Sequence, residues 1–244
     1  MQILSIGNSF SDDAQRYLHG IARAAGEKLE TVNLYIGGCS LERHYNNMVG
    51  NMRDYTLEYN GMFTYFPMSI EEALLNRTWD VVTLQQVSHQ AVRPESYHPY
   101  IEALAAYVRE KAPAAKLYIH QTWAYEEGSE RLCNELGFSH AADMLTAVKS
   151  AYAKAAKDID ACGIIPSGAL FGALTEAGIK RVHRDTFHAS LGLGRYALGL
   201  LWYRVLTGKS VEQNSFRDFD EPVSEGEIAI AKTCVERVAK EYGY

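Results

Sequence analysis

Short apolar runs separated by amphipathic stretches are the dominant pattern along the chain. Five runs rich in Val, Ile, Leu or Tyr are predicted as strands, at residues 2–7, 31–37, 80–86, 116–123 and 162–167. Several of them are nearly continuous rather than alternating, which is typical of strands covered on both faces in a parallel sheet.

Between these runs, apolar residues recur every three or four positions, as at Ala14, Leu18, Ile21 and Ala25. This spacing predicts helices with one buried face. Alternation of strands and helices predicts a three-layer α/β/α sandwich with a five-stranded, mostly parallel sheet of flavodoxin-like order 2-1-3-4-5. With 244 residues, 47% of them hydrophobic, and no low-complexity linker, a single domain over residues 1–244 is expected.

One segment, residues 53–66, does not fit the alternation of strands and helices. Two β-prone arms flank Asn60-Gly61, a dipeptide typical of a type I′ hairpin turn. The segment is therefore predicted as a β-hairpin excursion between the second and third core strands, where it would form part of a lid or a contact surface. Ser69 and Glu72 then form the capping-box pattern of the next helix.

The composition of the chain argues against several classes of protein. The net charge of −6 argues against a nucleic-acid partner, and no apolar run approaches the length of a membrane span. The four cysteines form no CxxC pair, so free thiols are expected rather than a disulfide framework or a zinc ribbon. A first strand at residue 2 predicts a cytoplasmic protein, or a periplasmic or secreted one after removal of a signal peptide. Nothing in the sequence indicates the oligomeric state.

Chemically active residues follow the predicted strand ends, where open α/β sheets bind ligands. They are Asn8, Ser9 and Phe10 after the first strand, Gly37 and Gly38 after the second, Gln85, Gln86 and His89 after the third, and His120 and Trp123 in the fourth, with Asp185 and His188 near the C-terminus. This order predicts one cleft in which Asn8, Phe10, His89 and Trp123 bind substrate.

A serine, a histidine and a carboxylate together predict nucleophilic catalysis. Ser9 needs a base to take its proton, His188 is the natural base, and Asp185 lies three residues before it. The N–H groups of Ser9 and Gly38 are candidate oxyanion donors, with the side-chain amide of Gln85, or alternatively Gln86, as a third. The simpler interpretations are that Ser9 and the glycines only form turns and that the glutamines only end a strand.

The segments "IGNSFS" and "DTFH" resemble the nucleophile and acid–base blocks of the SGNH (GDSL-like) hydrolases. The resemblance implies a sandwich fold, with Ser9 as nucleophile, Asp185 as acid, His188 as base, and Gly38, or else Gly37, as the second block. Two departures are visible, because Asn8 replaces the aspartate of the first block and "LQQVSHQ" has no match to the G-x-N-D block. These departures resemble those of a divergent bacterial branch of the family, whose function is unknown.

The expected function is therefore a serine esterase that removes small acyl groups, acetyl by preference, from carbohydrate through an acyl-enzyme, with no cofactor and no metal. Two other classes stay open. One is a metal-dependent hydrolase, although no H-E-x-x-H spacing is present. Its ligands would come from Asp12, Asp13, His120, His183, Asp185 and His188. The other is a non-catalytic carbohydrate-binding protein that keeps the fold.

Overall fold

A central sheet of seven strands organises the fold. The computed structural model describes all residues, Met1–Tyr244. The strands are β1 (Gln2–Gly7), β2 (Glu30–Tyr35), β3 (Tyr55–Tyr59), β4 (Met62–Met68), β5 (Val81–Leu84), β6 (Lys116–His120) and β7 (Gly163–Ile165). Their order across the sheet is β4-β3-β2-β1-β5-β6-β7.

The sheet has seven strands rather than the predicted five. The five predicted core strands are present, parallel and in the predicted order. The predicted hairpin also forms, with Asn60 and Gly61 both at positive φ as a type I′ turn requires. However, β3 pairs antiparallel with β2, so the hairpin extends the sheet by two strands and β4 becomes its edge. The unpaired backbone of β2 is satisfied in this way.

Helices flank the sheet. They are α1 (Ser9–Gln15), α2 (Leu18–Ala24), α3 (Leu41–Val49), α4 (Ile70–Asn76), α5 (Tyr100–Lys111), α6 (Ala141–Asp158), α7 (Ser167–Glu176), α8 (Leu193–Thr207) and α9 (Glu225–Glu241). A 3₁₀ turn (Pro94–Tyr97) and a π-helical turn (Arg131–Glu135) lie in the loops. The capping box predicted at Ser69 and Glu72 starts α4.

The core is one cluster of 66 buried residues. Ile3, Leu4 and Ile6 are fully buried although they point to both faces of β1, because helices cover both faces of the sheet. All four cysteines are free. No helix of the protein has both the length and the apolar character needed to cross a membrane.

Candidate active site

The turn from β1 into α1 presents Ser9 as the first residue of that helix. A Cβ on Gly7 would lie 2.1 Å from Ser11 Oγ, so only glycine allows this close approach. Asn8 caps the helix: its Oδ1 accepts from the Phe10 N–H at 3.0 Å, and its own N–H donates to Ser11 Oγ at 3.0 Å. The hydroxyl of Ser9 is left at the carboxyl end of the strand, where the sequence predicted a site.

Ser9, His188 and Asp185 form one hydrogen-bonded series. The distance from Ser9 Oγ to His188 Nε2 is 2.8 Å, and that from His188 Nδ1 to Asp185 Oδ2 is also 2.8 Å. The second oxygen of Asp185 accepts from the His188 backbone N–H at 2.8 Å. A neutral imidazole that donates from Nδ1 to the carboxylate leaves Nε2 free to accept the proton of Ser9.

Asp185 is held in its ionised form. Burial alone would raise the pKa of this carboxyl, but hydrogen bonds from the His188 side chain and backbone outweigh burial and bring the pKa below its ordinary value. An ionised Asp185 can orient the imidazole and stabilise the imidazolium that forms when Ser9 loses its proton.

A cleft of about 480 Å³ opens above Ser9. Besides Asn8, Ser9, Phe10 and His188 it is lined by Asp12, Tyr35, Gly37, Gly38, Phe63, Val87, Ser88, His89, Tyr125, Arg131, Arg184 and Phe187. Gly38 adopts φ +62°, a conformation that favours glycine. The backbone N–H groups of Ser9, Gly38 and Ser88 have no acceptor within the protein, which leaves them available to a negatively charged oxygen.

The structure places the side chains of Gln85 and Gln86 away from the role predicted for them. Gln85 Nε2 donates to Asn8 Oδ1 at 2.6 Å, and its Oε1 contacts His120 Nδ1 at 2.6 Å. Gln86 Nε2 donates to the carbonyl of Ser96 at 2.8 Å. Both side chains are buried. Gln85 therefore holds Asn8, and neither glutamine presents its amide to the cleft.

The predicted substrate-binding residues divide into two groups. Asn8, Phe10 and His89 line the cleft. The side-chain amide of Asn8 is already hydrogen-bonded within the protein, since its Nδ2 donates to the Cys39 carbonyl at 3.0 Å. Trp123 does not line the cleft, contrary to the prediction. Its ring stacks on Phe10 at 4.1 Å and its Nε1 donates to the carbonyl of Phe187 at 2.7 Å. Trp123 thus supports the cleft wall from the core.

Asp13 is a buried residue of the site that sequence reasoning considered only as a metal ligand. Its Oδ1 accepts from Arg184 Nη1 and Arg195 Nε, each at 2.8 Å, and its Oδ2 accepts from the Ala189 N–H at 3.0 Å. Because Arg184 and Ala189 flank the segment with Asp185 and His188, Asp13 ties that segment to the helix of Ser9. The only signal in the sequence was an acid on the buried face of a helix.

The six side chains considered as metal ligands are not gathered into one site. The structure contains no group of three or more His, Cys, Asp or Glu side chains that could hold a metal ion. His120 is buried and bonded to Gln85 and Ser167, and burial lowers its pKa to about 3. His183 Nε2 lies 3.0 Å from the Ala124 carbonyl, and burial lowers its pKa to about 4.

A buried polar chain runs beneath the nucleophile turn to Glu58 on β3. Ser11 Oγ donates to Asn33 Oδ1 at 2.9 Å, and Asn33 Nδ2 donates to Glu58 Oε2 at 2.7 Å. Burial, and next the charge of Asp12, raise the pKa of Glu58 to about 9. Burial, followed by the charge of Asp13, also raises the pKa of Asp12 to about 6. The folded protein therefore keeps Glu58 protonated at neutral pH.

This protonation makes stability fall as the pH rises. Glu58 ionises in the unfolded chain above its ordinary pKa of 4.5 but not in the folded protein until about pH 9. We expect Glu58→Gln, which keeps the acceptor for Asn33, to match the parent near pH 4. Its advantage in free energy of unfolding should grow from pH 5 to pH 8, by up to roughly 1 kcal/mol per pH unit.

Urea unfolding at each pH measures this effect. Glu95→Gln, a substitution of an exposed glutamate, is the matched control and should follow the parent at every pH. Parallel stability curves for Glu58→Gln and the parent would contradict a neutral Glu58.

The fold and the site together define the class as SGNH-like. A protein from Slackia heliotrinireducens, proposed to be an SGNH hydrolase, is 25% identical with a TM-score of 0.61, over 84% of this chain and 97% of that chain. The acetyl xylan esterase Axe2 from Geobacillus stearothermophilus shares the fold at 15% identity and a TM-score of 0.52, over 89% of this chain and 97% of that chain.

The chain belongs to the DUF4886 family, a domain family of unknown function whose model matches residues 2–237. A DUF4886 family protein from Bacteroides uniformis is 32% identical with a TM-score of 0.90, over 98% of this chain and 94% of that chain. A search among curated proteins gives no match. The resemblance seen in the sequence is thus confirmed, and the chain fits a divergent SGNH-like branch. This relationship supports a hydrolase of the SGNH type.

Proposed function

We propose that the protein is a serine esterase that forms an acyl-enzyme on Ser9. One observation carries the proposal: Ser9 Oγ, His188 and Asp185 are joined by hydrogen bonds of 2.8 Å each, although Ser9 and His188 are 179 residues apart in the chain. A serine beside an oriented imidazole is the arrangement that activates a hydroxyl for attack on a carbonyl carbon.

The proposed reaction has two halves. Ser9 Oγ attacks the ester carbonyl while His188 Nε2 takes its proton, and the N–H groups of Ser9 and Gly38 stabilise the oxyanion. His188 then gives the proton to the leaving alcohol, and the acyl group stays on Ser9. In the second half, water loses a proton to His188 and attacks the acyl-enzyme; the bond from the acyl carbon to Ser9 Oγ then breaks, His188 returns the proton to Ser9 Oγ, and the acid leaves.

The cleft supports a small acyl group and a carbohydrate alcohol. Phe10 and Val87 are almost fully buried and confine the space beside Ser9. Tyr35 and Phe63 line the cleft, with ring centroids 5.0 Å apart, and Tyr65 extends the aromatic surface outwards. Aromatic faces suit the apolar faces of sugar rings. The fold accommodates such chemistry in one acetyl xylan esterase.

The size of the acyl group is directly testable. We expect kcat/KM to fall steeply from acetyl to butyryl to octanoyl esters of p-nitrophenol, because each added methylene must fit beside the buried side chains of Phe10 and Val87. In a lipase-like pocket, each buried methylene would instead add roughly 0.8 kcal/mol of binding. A higher kcat/KM for octanoate than for acetate would replace the carbohydrate ester with a lipid or thioester as the substrate.

Fluorophosphonate labelling followed by peptide mapping tests the proposal itself. The label is expected on the peptide with Ser9, and Ser9→Ala should abolish it. Hydrolysis of p-nitrophenyl acetate should survive exhaustive chelation, because the proposed route uses no metal. An unlabelled protein, or loss of hydrolysis on chelation with recovery on adding a metal, would reject the serine mechanism.

A further inference from the structure

Arg131 occupies an unusual place in the cleft. It begins the π-helical turn Arg131–Glu135, is half-buried, and lines the same cleft as Ser9 and His188. The centre of its guanidinium lies 4.1 Å from the centroid of the Phe187 ring, and that ring lies 3.9 Å from the ring of His188. The stack on Phe187 therefore holds a cation within the walls of the proposed active site.

The guanidinium of Arg131 has no anionic partner. No ion pair joins it to a carboxylate, and its polar neighbour is the hydroxyl of Tyr125, where burial raises the pKa and the hydrogen bond and charge of Arg131 act in the opposite direction. The other arginine of the cleft, Arg184, is committed to Asp13 and to the Ala189 carbonyl. In a chain with 30 acidic and 24 basic side chains, a half-buried arginine in a cleft has many possible partners, yet Arg131 pairs with none of them.

Two other titratable residues, His89 and Glu135, lie in the neighbourhood of Arg131. Burial lowers the pKa of His89, and the charges of Arg93 and Arg131 lower it further, so His89 adds little charge of its own. Glu135 is the acid that acts against them, but it forms no ion pair with Arg131. A stacked guanidinium exposes its edge, and that edge presents paired N–H donors in the fork that matches a carboxylate.

We propose that Arg131 is a specificity-determining residue that binds a carboxylate carried by the ester substrate. This inference rests on the proposed esterase function and deepens it by naming a charged substrate class. Two sources of the carboxylate share this chemistry. One is the far end of a dicarboxylic acyl group, and the other is a uronic acid in the alcohol part of the ester.

Two substrate pairs separate these sources. Monomethyl succinate and methyl butyrate differ in a carboxylate on the acyl side, and both release methanol. Acetylated methyl glucuronoside and acetylated methyl glucoside differ in a carboxylate on the alcohol side, and both release acetate. For each pair, the measured quantity is the ratio of kcat/KM for the charged member to that for the neutral member.

We expect the parent protein to prefer the charged member of the alcohol-side pair, because the proposed preference for acetyl disfavours a four-carbon acyl group. Arg131→Met should lower that ratio by roughly 10- to 100-fold, mainly through KM, since a charge-assisted hydrogen bond is lost in substrate binding. Arg131→Lys should give an intermediate ratio, because lysine keeps the charge without the fork. Arg23→Met, at an exposed arginine of α2 outside the cleft lining, is the matched control and should leave the ratio unchanged.

Three results would overturn the inference: no preference for the charged member of either pair, an unchanged ratio in Arg131→Met, or the same fall in Arg23→Met. Failure of the esterase proposal is distinct, because no ester would then be hydrolysed and Ser9 would not be labelled. In that case, calorimetric titration with succinate and with glucuronate decides the binding claim. Binding that Arg131→Met abolishes would support it, and absence of binding to the parent would refute it.

Discussion

Ser9→Ala is expected to lower the rate of p-nitrophenyl acetate hydrolysis by ~10⁴-fold or more. The Ser9 hydroxyl is the only nucleophilic atom within hydrogen-bond distance of His188 Nε2, at 2.8 Å. Removing Oγ removes the atom that would carry the acyl group, whereas the N–H groups of Ser9 and Gly38 remain. Any residual rate should therefore come from binding and from these donors alone.

The same substitution should leave the fold intact. Ser9 Oγ makes one hydrogen bond to His188, and the helix cap depends on Asn8 and Ser11 instead. The thermal midpoint of Ser9→Ala is therefore expected to stay close to that of the parent. Ser150→Ala, at an exposed serine of α6, is the matched control and should retain full activity. Near-parental turnover by Ser9→Ala would refute its assignment as nucleophile.

Asp13→Ala should have the largest effect on stability. The Asp13 side chain is fully buried and joins the guanidinium groups of Arg184 and Arg195 to the backbone of Ala189. Removing the carboxylate leaves two partly buried cations without their shared partner. We expect a loss of about 3–5 kcal/mol in the free energy of unfolding, measured by urea denaturation.

The Asp13→Ala variant should also have lower activity, for a reason separate from its lower stability. The backbone N–H of Arg184 donates to the His188 carbonyl at 3.0 Å, so a displaced Arg184 shifts the histidine relative to Ser9. At a temperature where the variant is folded, kcat should therefore drop while KM changes little.

Two further variants define this effect. Asp13→Asn keeps one acceptor oxygen and should recover part of both losses. Asp218→Ala, at an exposed aspartate without an ion-pair partner, should match the parent. Parental stability and kcat in Asp13→Ala would show that Asp13 does not position the segment of His188.

The order of chemical blocks was readable in the sequence because it depends on local features. A continuous apolar run predicts a strand covered on both faces, and Asn60-Gly61 predicts a tight hairpin, whatever the rest of the chain does. The residues next to a strand end lie at one edge of a parallel sheet. Ser9, Gly38 and His188 could therefore be placed around one cleft before any contact was known.

The pairing of side chains was decided only by the tertiary structure. Gln85 follows β5 as predicted, but its amide turns to Asn8 and His120 because those partners lie on the two neighbouring strand ends. Trp123 stacks between Phe10 and Phe171 instead of facing the cleft. Neither direction is encoded in periodicity, which specifies the face of an element and not the partner beyond it.

Ion pairs between distant residues, and the pairing of the hairpin with the sheet, could not be predicted from periodicity either. Asp13 and Arg184 are 171 residues apart, and Arg131 reaches the cleft from a loop without any motif. The hairpin was predicted from its turn, but its pairing with β2 depends on hydrogen bonds between separate segments. The sequence by itself determined the five core strands, their relative order and the three residues proposed for catalysis. Packing of distant segments decided which polar groups are hydrogen-bonded within the protein and which face the cleft, because few buried polar groups stay unpaired.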